Sequence, residues 1–172
     1  LKDIYVKFEG GTELQGDSTD TKHANEIEVS SFSHKITQPK SASASTSGGH
    51  TAERTEHGEM LFTKEVDKAS SKLLRACSAG TVYPKVTITF YRAYGGKGST
   101  ATSQQRVDYF KITLEDVVIS SVNMAIGESD LPAETFGLKY GKVVWEYKQH
   151  KMDGSSASTG PAGWDLRKNI AT

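Results

Sequence analysis

Between Val107 and Met124 the chain reads VDYFKITLEDVVISSVNM, its longest stretch with the period of a β-strand. Phe110, Ile112 and Leu114 fall on one face and Tyr109, Lys111, Thr113 and Glu115 on the other, the alternation of a half-buried strand. At Val117, Val118 and Ile119 the alternation breaks and both faces are apolar. Either the strand is sandwiched there or a bulge re-aims its side chains. The stretch exceeds the usual strand length of about 5–6 residues, which favours a bulged strand that bends round a barrel or crosses between sheets.

Alternation elsewhere supplies partners. Asp3 to Glu9 sets Ile4, Val6 and Phe8 against Tyr5, Lys7 and Glu9, and Gly10 and Gly11 end that strand. A polar surface loop leads to a second strand, Glu26 to Gln38, with Ile27 and Val29 on one face, Phe32, His34 and Ile36 on the other, and a bend near Ser30 and Ser31. Met60 to Val66 reads as a short strand. Asp67 sits where a helix N-cap belongs, Ala69, Leu73, Ala76 and Cys77 share a helical face, and Gly80 marks the stop. Val86, Ile88 and Phe90 alternate next, then a glycine-rich connection leads into the long strand. Thr135 to Lys148 forms a last strand whose facing switches at Gly141. DGSSASTGPAG, Asp153 to Gly163, reads as a linker to a closing WDLRKNI that docks through its tryptophan. About six strands with repeated face switches and one helix predict a mainly β fold. The expected architecture is a single small curved β-barrel or sandwich over 1–172, with a flanking helix, an extended loop at 40–58 and a C-terminal tail at 149–172.

The loop from Lys40 to Gly58, KSASASTSGGHTAERTEHG, has no buried periodicity. Structureless loops beyond about 12–15 residues are uncommon in compact domains and are usually functional or disordered. Composition alone favours a floppy insert over an arm that orders against a partner.

Charge narrows the function classes. Lysine plus arginine and aspartate plus glutamate each total 21, and residues 1 to 86 carry eleven basic and twelve acidic side chains, so no electrostatic footprint for nucleic acid or an anionic membrane exists. A single cysteine, Cys77, excludes an intramolecular disulfide framework and a multi-cysteine zinc site. The opening LKDIYVKFEG lacks a signal peptide's apolar core, and no run of eighteen apolar residues occurs, so synthesis in the cytoplasm is expected, with any export left to other machinery.

Candidate chemistry is thin. The GGKGST run at Gly95 to Thr100 lacks phosphate-loop spacing and sits between strands, as a hairpin tip does. His50 and His57, with Glu53, Glu56 and Glu59, supply metal ligands on paper, but at no recognised spacing. Cys77 reads as a small buried hydrophobe. No GxSxG or SxxK singles out a serine. Adjacent in a strand, Glu115 and Asp116 should point to opposite faces rather than act as a pair. No cofactor, metal or catalysis is expected.

Several segments together resemble the haemolysin-coregulated protein family, Hcp, of bacterial type VI secretion: IYVKFEG at Ile4 to Gly10, HANEIEVSSFSH at His23 to His34, GGHTAERTEHGEM at Gly48 to Met60, DKASSKLLRACSAG at Asp67 to Gly80, FKITLEDVVISSV at Phe110 to Val122 and GWDLRKN at Gly163 to Asn169. The resemblance implies a secreted structural subunit. Homohexameric rings stack head to tail into a tube, small effector proteins travel in the lumen, and a spike trimer and contractile sheath complete the machine. It also implies that the 40–58 loop is an arm reaching an adjacent ring, reversing the compositional preference. By the same resemblance Ser33 faces the lumen, while Gly48, Gly49, His50, Glu53 and Arg54 of the arm, the hairpin at Gly95 and Gly96, and Arg167 of the tail are stacking elements. The chain departs from the family where many members carry Trp in place of Phe32 and His34, and the segment from Lys97 to Arg106 is longer than usual. Competing readings are a monomeric barrel that binds a small ligand inside, and a family member carrying an effector enzyme; only 24 residues follow Lys148, too few for an independent catalytic domain.

Overall fold

The long strand is one element of twenty residues, and the rest of the chain is arranged on its two halves. In the computed structural model, which describes residues 3–10, 14–39, 54–94, 106–128 and 131–172, the elements are β1 (Asp3–Glu9), β2 (Ile27–Val29), β3 (Ser31–Ser33), β4 (Ile36–Thr37), β5 (Glu56–His57), β6 (Met60–Glu65), α1 (Ser70–Ala79), β7 (Val82–Ala93), β8 (Arg106–Ala125), β9 (Ala133–Lys139), β10 (Lys142–His150), β11 (Ser156–Asp165) and β12 (Ile170–Ala171). The first half of β8 pairs with β10, the second half with β9, and β7 runs beside it across the join. One antiparallel path runs β12-β11-β10-β8-β7-β1-β2, and a branch runs β8-β9-β6-β3; β4 and β5 form a separate ribbon. The fold is mainly β, a curved sheet folded over its own core with one helix packed on β8.

The expected bulge lies between Ile119 and Ser121 in the pairing with β9, and the facing of the strand also slips just before it, in a way shared by the whole sheet. Ile112 and Leu114 point inward, and so do Val117 and Ile119, so the facing slips by one residue at Glu115 and Asp116. Asp116 has a left-handed backbone, φ 51°, which turns the strand. In β7 the inward residues Val86, Ile88 and Phe90 slip in the same way to Tyr83, across Pro84. Pro84 has no backbone donor to contribute at the crease. Between β9 and β10, Gly141 donates to the carbonyls of Glu115 at 2.9 Å and Asp116 at 3.2 Å. Gly10, φ 80°, ends β1 against the Pro84 ring. One crease through Gly10, Pro84, Asp116 and Gly141 therefore folds the sheet and separates the part of β8 paired with β10 from the part paired with β9.

The core fills the fold. Phe62 and Phe136 are fully buried and stack at 5.0 Å and 18°, with Phe32 tilted against Phe62 and edge-on to Phe90. Val6, Ile27, Met60, Leu73, Val86, Ile88 and Leu114 complete it at zero exposure, each such aliphatic contributing roughly 1.5–3 kcal/mol. Within this core lies an ion pair: Lys64 Nζ meets Asp67 Oδ1 at 2.7 Å, Glu134 Oε1 at 3.1 Å and Ser70 Oγ at 3.1 Å, with the Lys64 and Glu134 side chains fully buried.

Several expectations need correction. Glu26 to Gln38 is three short strands with three different partners, because the chain leaves β1 at Ser30 to join β6 and then pairs as a separate ribbon with β5. Asp67 is not the N-cap. Ala69 occupies that position without a side-chain cap, while Asp67 accepts the Ala69 amide at 2.9 Å one step earlier. Gly80 ends the helix as expected, φ 64°, its amide reaching the last-turn carbonyls. Cys77 is half-buried rather than buried. The expected linker is largely β11, an exposed strand laid on β10 with a bulge between Glu146 and Lys148; its glycine, proline and small residues suit an edge strand. Tyr5, expected outward, is buried beneath the 14–26 loop. The 40–58 loop is described from Arg54 onward, and within it Glu56–His57 is strand.

Candidate interaction surfaces

The branch β3-β6-β9-β8 has two unlike faces, and its register explains both. Phe32, Phe62, Phe136 and Val122 stand opposite one another across the four strands and turn into the core. One residue along, Ser33, Leu61, Gly137 and Ser121 form the next row, and one residue back lie Ser31, Thr63, Thr135 and Asn123. Because successive side chains alternate, these two rows share the outer face. Ser31, Ser33 and Asn123 are exposed, and Thr63 and Thr135 approach at 3.4 Å between hydroxyl oxygens. The face is a hydroxyl and amide ladder with Leu61 as its one large apolar member. Ser33 lies on it, at the end of β3. The alternation was legible strand by strand, but no sequence signal aligned four hydroxyl-bearing strands in one register.

Glu59 crosses one end of this face. Its carboxylate accepts from Ser120 Oγ at 2.6 Å and from Ser121 Oγ, directly above Gly137, where any Cβ would fall on Glu59 Oε1. Burial opposes its ionisation, but the two serine hydrogen bonds and nearby Lys139 hold it below its ordinary value.

Arg167 sits at the crease. Its guanidinium donates to both oxygens of Asp165, at 3.1 and 3.0 Å, and to Asp116, with Glu115 Oε2 at 3.6 Å. Against the sequence expectation, Glu115 and Asp116 thus reach the same partner, because the left-handed turn at Asp116 swings the second carboxylate round. The Arg167 hydrogen bonds hold Asp165 down at about 2. Asp165 is buried, whereas Arg167 remains about half exposed at 46%. Arg54 is exposed ahead of β5. Gly48, Gly49, His50, Glu53, Gly95 and Gly96 lie outside the described residues.

Two histidine centres went unread in the sequence. His23 stacks on Tyr5 at 4.5 Å, bonds Glu26 and Tyr91 at 2.6 Å each, and lies beside Arg106, which pairs with Asp3 and Asp20. Together they fasten the 14–26 loop over β1. His57, a metal ligand only on paper, places Nδ1 2.6 Å from the Tyr140 hydroxyl, which also lies 3.1 Å from His34 Nε2. Among the described residues no three His, Cys, Asp or Glu side chains gather as a metal site.

The comparisons agree with this architecture. Residues 5–147 match the family described as "Type VI secretion system effector, Hcp". Protein hcp1 of Pseudomonas aeruginosa is 33% identical over 171 residues, covering 98% of this chain and 97% of that one. The Major exported protein of the same organism is 29% identical over 83% of this chain and 79% of its own length. A solved structure described as a type six secretion system protein superposes with a TM-score of 0.81 at 27% identity, covering both chains completely. A family match across most of the chain, with a full-length relative above 30% identity, places this protein in the Hcp family of type VI secretion.

Proposed function

We propose that this chain is a tube subunit: six copies close into a ring, rings stack, and the Ser33 face lines the channel. The observation that carries this reading is the pair of polar rows, Ser33-Leu61-Gly137-Ser121 and Ser31-Thr63-Thr135-Asn123, on one continuous face. Short hydroxyls present hydrogen-bonding groups to water without bulk, as the wall of a wet channel requires, and they offer weak, unselective contacts to small effector proteins passing along it. The subunit acts as one domain over 1–172, without a cofactor or catalytic step. Residues 40–58, the hairpin at Gly95 and Gly96, and Arg167 serve the contacts between rings. The chain is made in the cytoplasm and exported by the machine, with a spike trimer and a contractile sheath as partners; a relative named the Major exported protein supports export.

The filled interior, with Phe62 stacked on Phe136, leaves little ground for a barrel holding a small ligand. Light scattering behind size exclusion, over a range of concentrations, tests the ring. A species of about six chains of 18.7 kDa each supports it; a monomer at every concentration, with secretion intact, overturns it.

A further inference from the structure

The root of the arm is tied to the crease through a single phenol. The outgoing leg carries His34, just before β4, and the returning leg carries His57 in β5; β4 and β5 pair only with each other, at Ile36 with His57 and Thr37 with Glu56. Both imidazoles converge on Tyr140, the residue before Gly141 at the bend between β9 and β10. The Tyr140 ring is buried, at 8% exposure, and lies edge-on to His57, whose other neighbour is Trp145 at 6.3 Å.

Donors and acceptors around this hydroxyl fix its state. The Gly58 backbone favours a proton on His34, and with Nε2 facing Tyr140 that proton belongs on Nδ1. Nε2 of neutral His34 is then an acceptor. Tyr140 donates its one proton to it and takes the Nδ1–H of His57 on its oxygen. We propose that His34, Tyr140 and His57 form a latch that holds both legs of the arm to the crease at neutral pH and releases them when His34 takes a proton at Nε2. Protonation turns the acceptor into a donor, so His34, His57 and the phenol all present hydrogens toward one oxygen, and the phenol's proton loses its partner. A second proton, on His57, sets two cations facing each other with ring centroids 6.2 Å apart.

Among the described residues nothing near the latch compensates. Burial lowers His34, against the Gly58 bond, and burial followed by the charge of His34 lowers His57. Lys35 and Glu56 flank the histidines in sequence, and Lys139 and Lys142 flank Tyr140; Glu59 is held by Ser120 and Ser121, and Lys142 lies 3.8 Å from Glu115. Among the described residues no carboxylate acts on either imidazole. The latch therefore holds above about pH 6.5 and loosens as the pH falls below it.

The latch is independent of the ring. Only its consequence, arms freed from their roots and stacks weakened in acid, rests on the tube reading. Hydrogen exchange on the purified protein, expressed as protection factors so that intrinsic pH effects cancel, reads the latch directly. Protection at residues 34–38 and 54–58 is expected to fall at least tenfold between pH 7.5 and pH 5, while β7 and β8 stay protected. Tyr140→Phe, which keeps the ring and removes the hydroxyl, leaves the root weakly protected at both pH values. His34→Gln, which keeps an acceptor but cannot titrate, flattens the pH dependence if the variant folds like the wild type elsewhere. A wild-type root equally protected at both pH values, or a Tyr140→Phe protein with the wild-type pH response, overturns the latch; a monomer at every concentration whose root still loses protection in acid counts against the ring and not against the latch.

Discussion

Asp116 lies directly across the crease from Gly141, its carbonyl sharing the Gly141 amide with that of Glu115, and Arg167 closes over both. The Arg167 Cδ lies 3.1 Å from where a Gly141 side chain would begin, while its guanidinium holds the Asp116 carboxylate. The left-handed residue, the glycine and the arginine form one joint, and the two halves of the sheet turn on it.

That joint sets the first prediction. A β-branched residue cannot adopt the Asp116 backbone without strain, so Asp116→Val is expected to lose about 2–3 kcal/mol of stability by urea unfolding. Asp116→Gly relieves the backbone and loses only the exposed ion pair, which places it within about 1 kcal/mol of the wild type. Equal losses in the two variants would show that the ion pair, and not the backbone, makes the bend.

Gly137 carries the second. Any side chain there meets Glu59 and separates it from Ser120 and Ser121, so Gly137→Ala is expected to cost about 1–2 kcal/mol. The sign of the pH effect follows from the lowered Glu59 carboxyl: its contribution is complete above its ordinary value of 4.5 and is lost as the pH falls through the lower folded value. Wild-type stability should therefore drop through that acidic window, and Gly137→Ala should drop less. Parallel pH profiles from thermal melts would contradict this.

Much of this arrangement could be read from the chain. Alternation located β1 and β8 nearly to the residue and the middle of β7, and the broken period at Val117 to Ile119 marked the crease, because a slip in facing leaves its trace in neighbouring residues. Pairing left no such trace. Ser33, Thr63, Thr135 and Ser121 are ordinary polar positions in four separate stretches, and only the register lines them up. β11 escaped for a different reason: from Ser156 to Ala162 it is exposed and paired only with β10, so it needs no apolar face and looks like a linker. Tyr5 was misread and His23 unread because a loop, whose path no periodicity encodes, covers the outer face of β1.

The buried ion pair gives a third prediction. Lys64→Met leaves Glu134 buried without its cation, and a loss of about 3–5 kcal/mol is expected. Adding Glu134→Leu removes the stranded charge and should recover at least half of that loss, read as the coupling in a double-mutant cycle by urea unfolding. Strict additivity would mean that the two groups do not interact.

The tail supplies a fourth. Arg167→Ala removes the group that holds Asp165 ionised near the bottom of the carboxylate range, so the Asp165 carboxyl should titrate higher, as read by carbon chemical shifts on lowering the pH. An unchanged titration would assign the depression to the Arg167 and Lys168 backbone amides instead.

The central claim, a ring whose channel is lined by the Ser33 face, is tested most directly by imaging. With Cys77 replaced by Ser and Ser33 by Cys, a maleimide-linked gold cluster can be placed at that single position and the purified assembly viewed in projection by electron microscopy. Rings with the gold density inside the central hole are the predicted result. Gold on the outer rim, or labelled particles that form no ring where the unlabelled protein forms none either, would contradict the account.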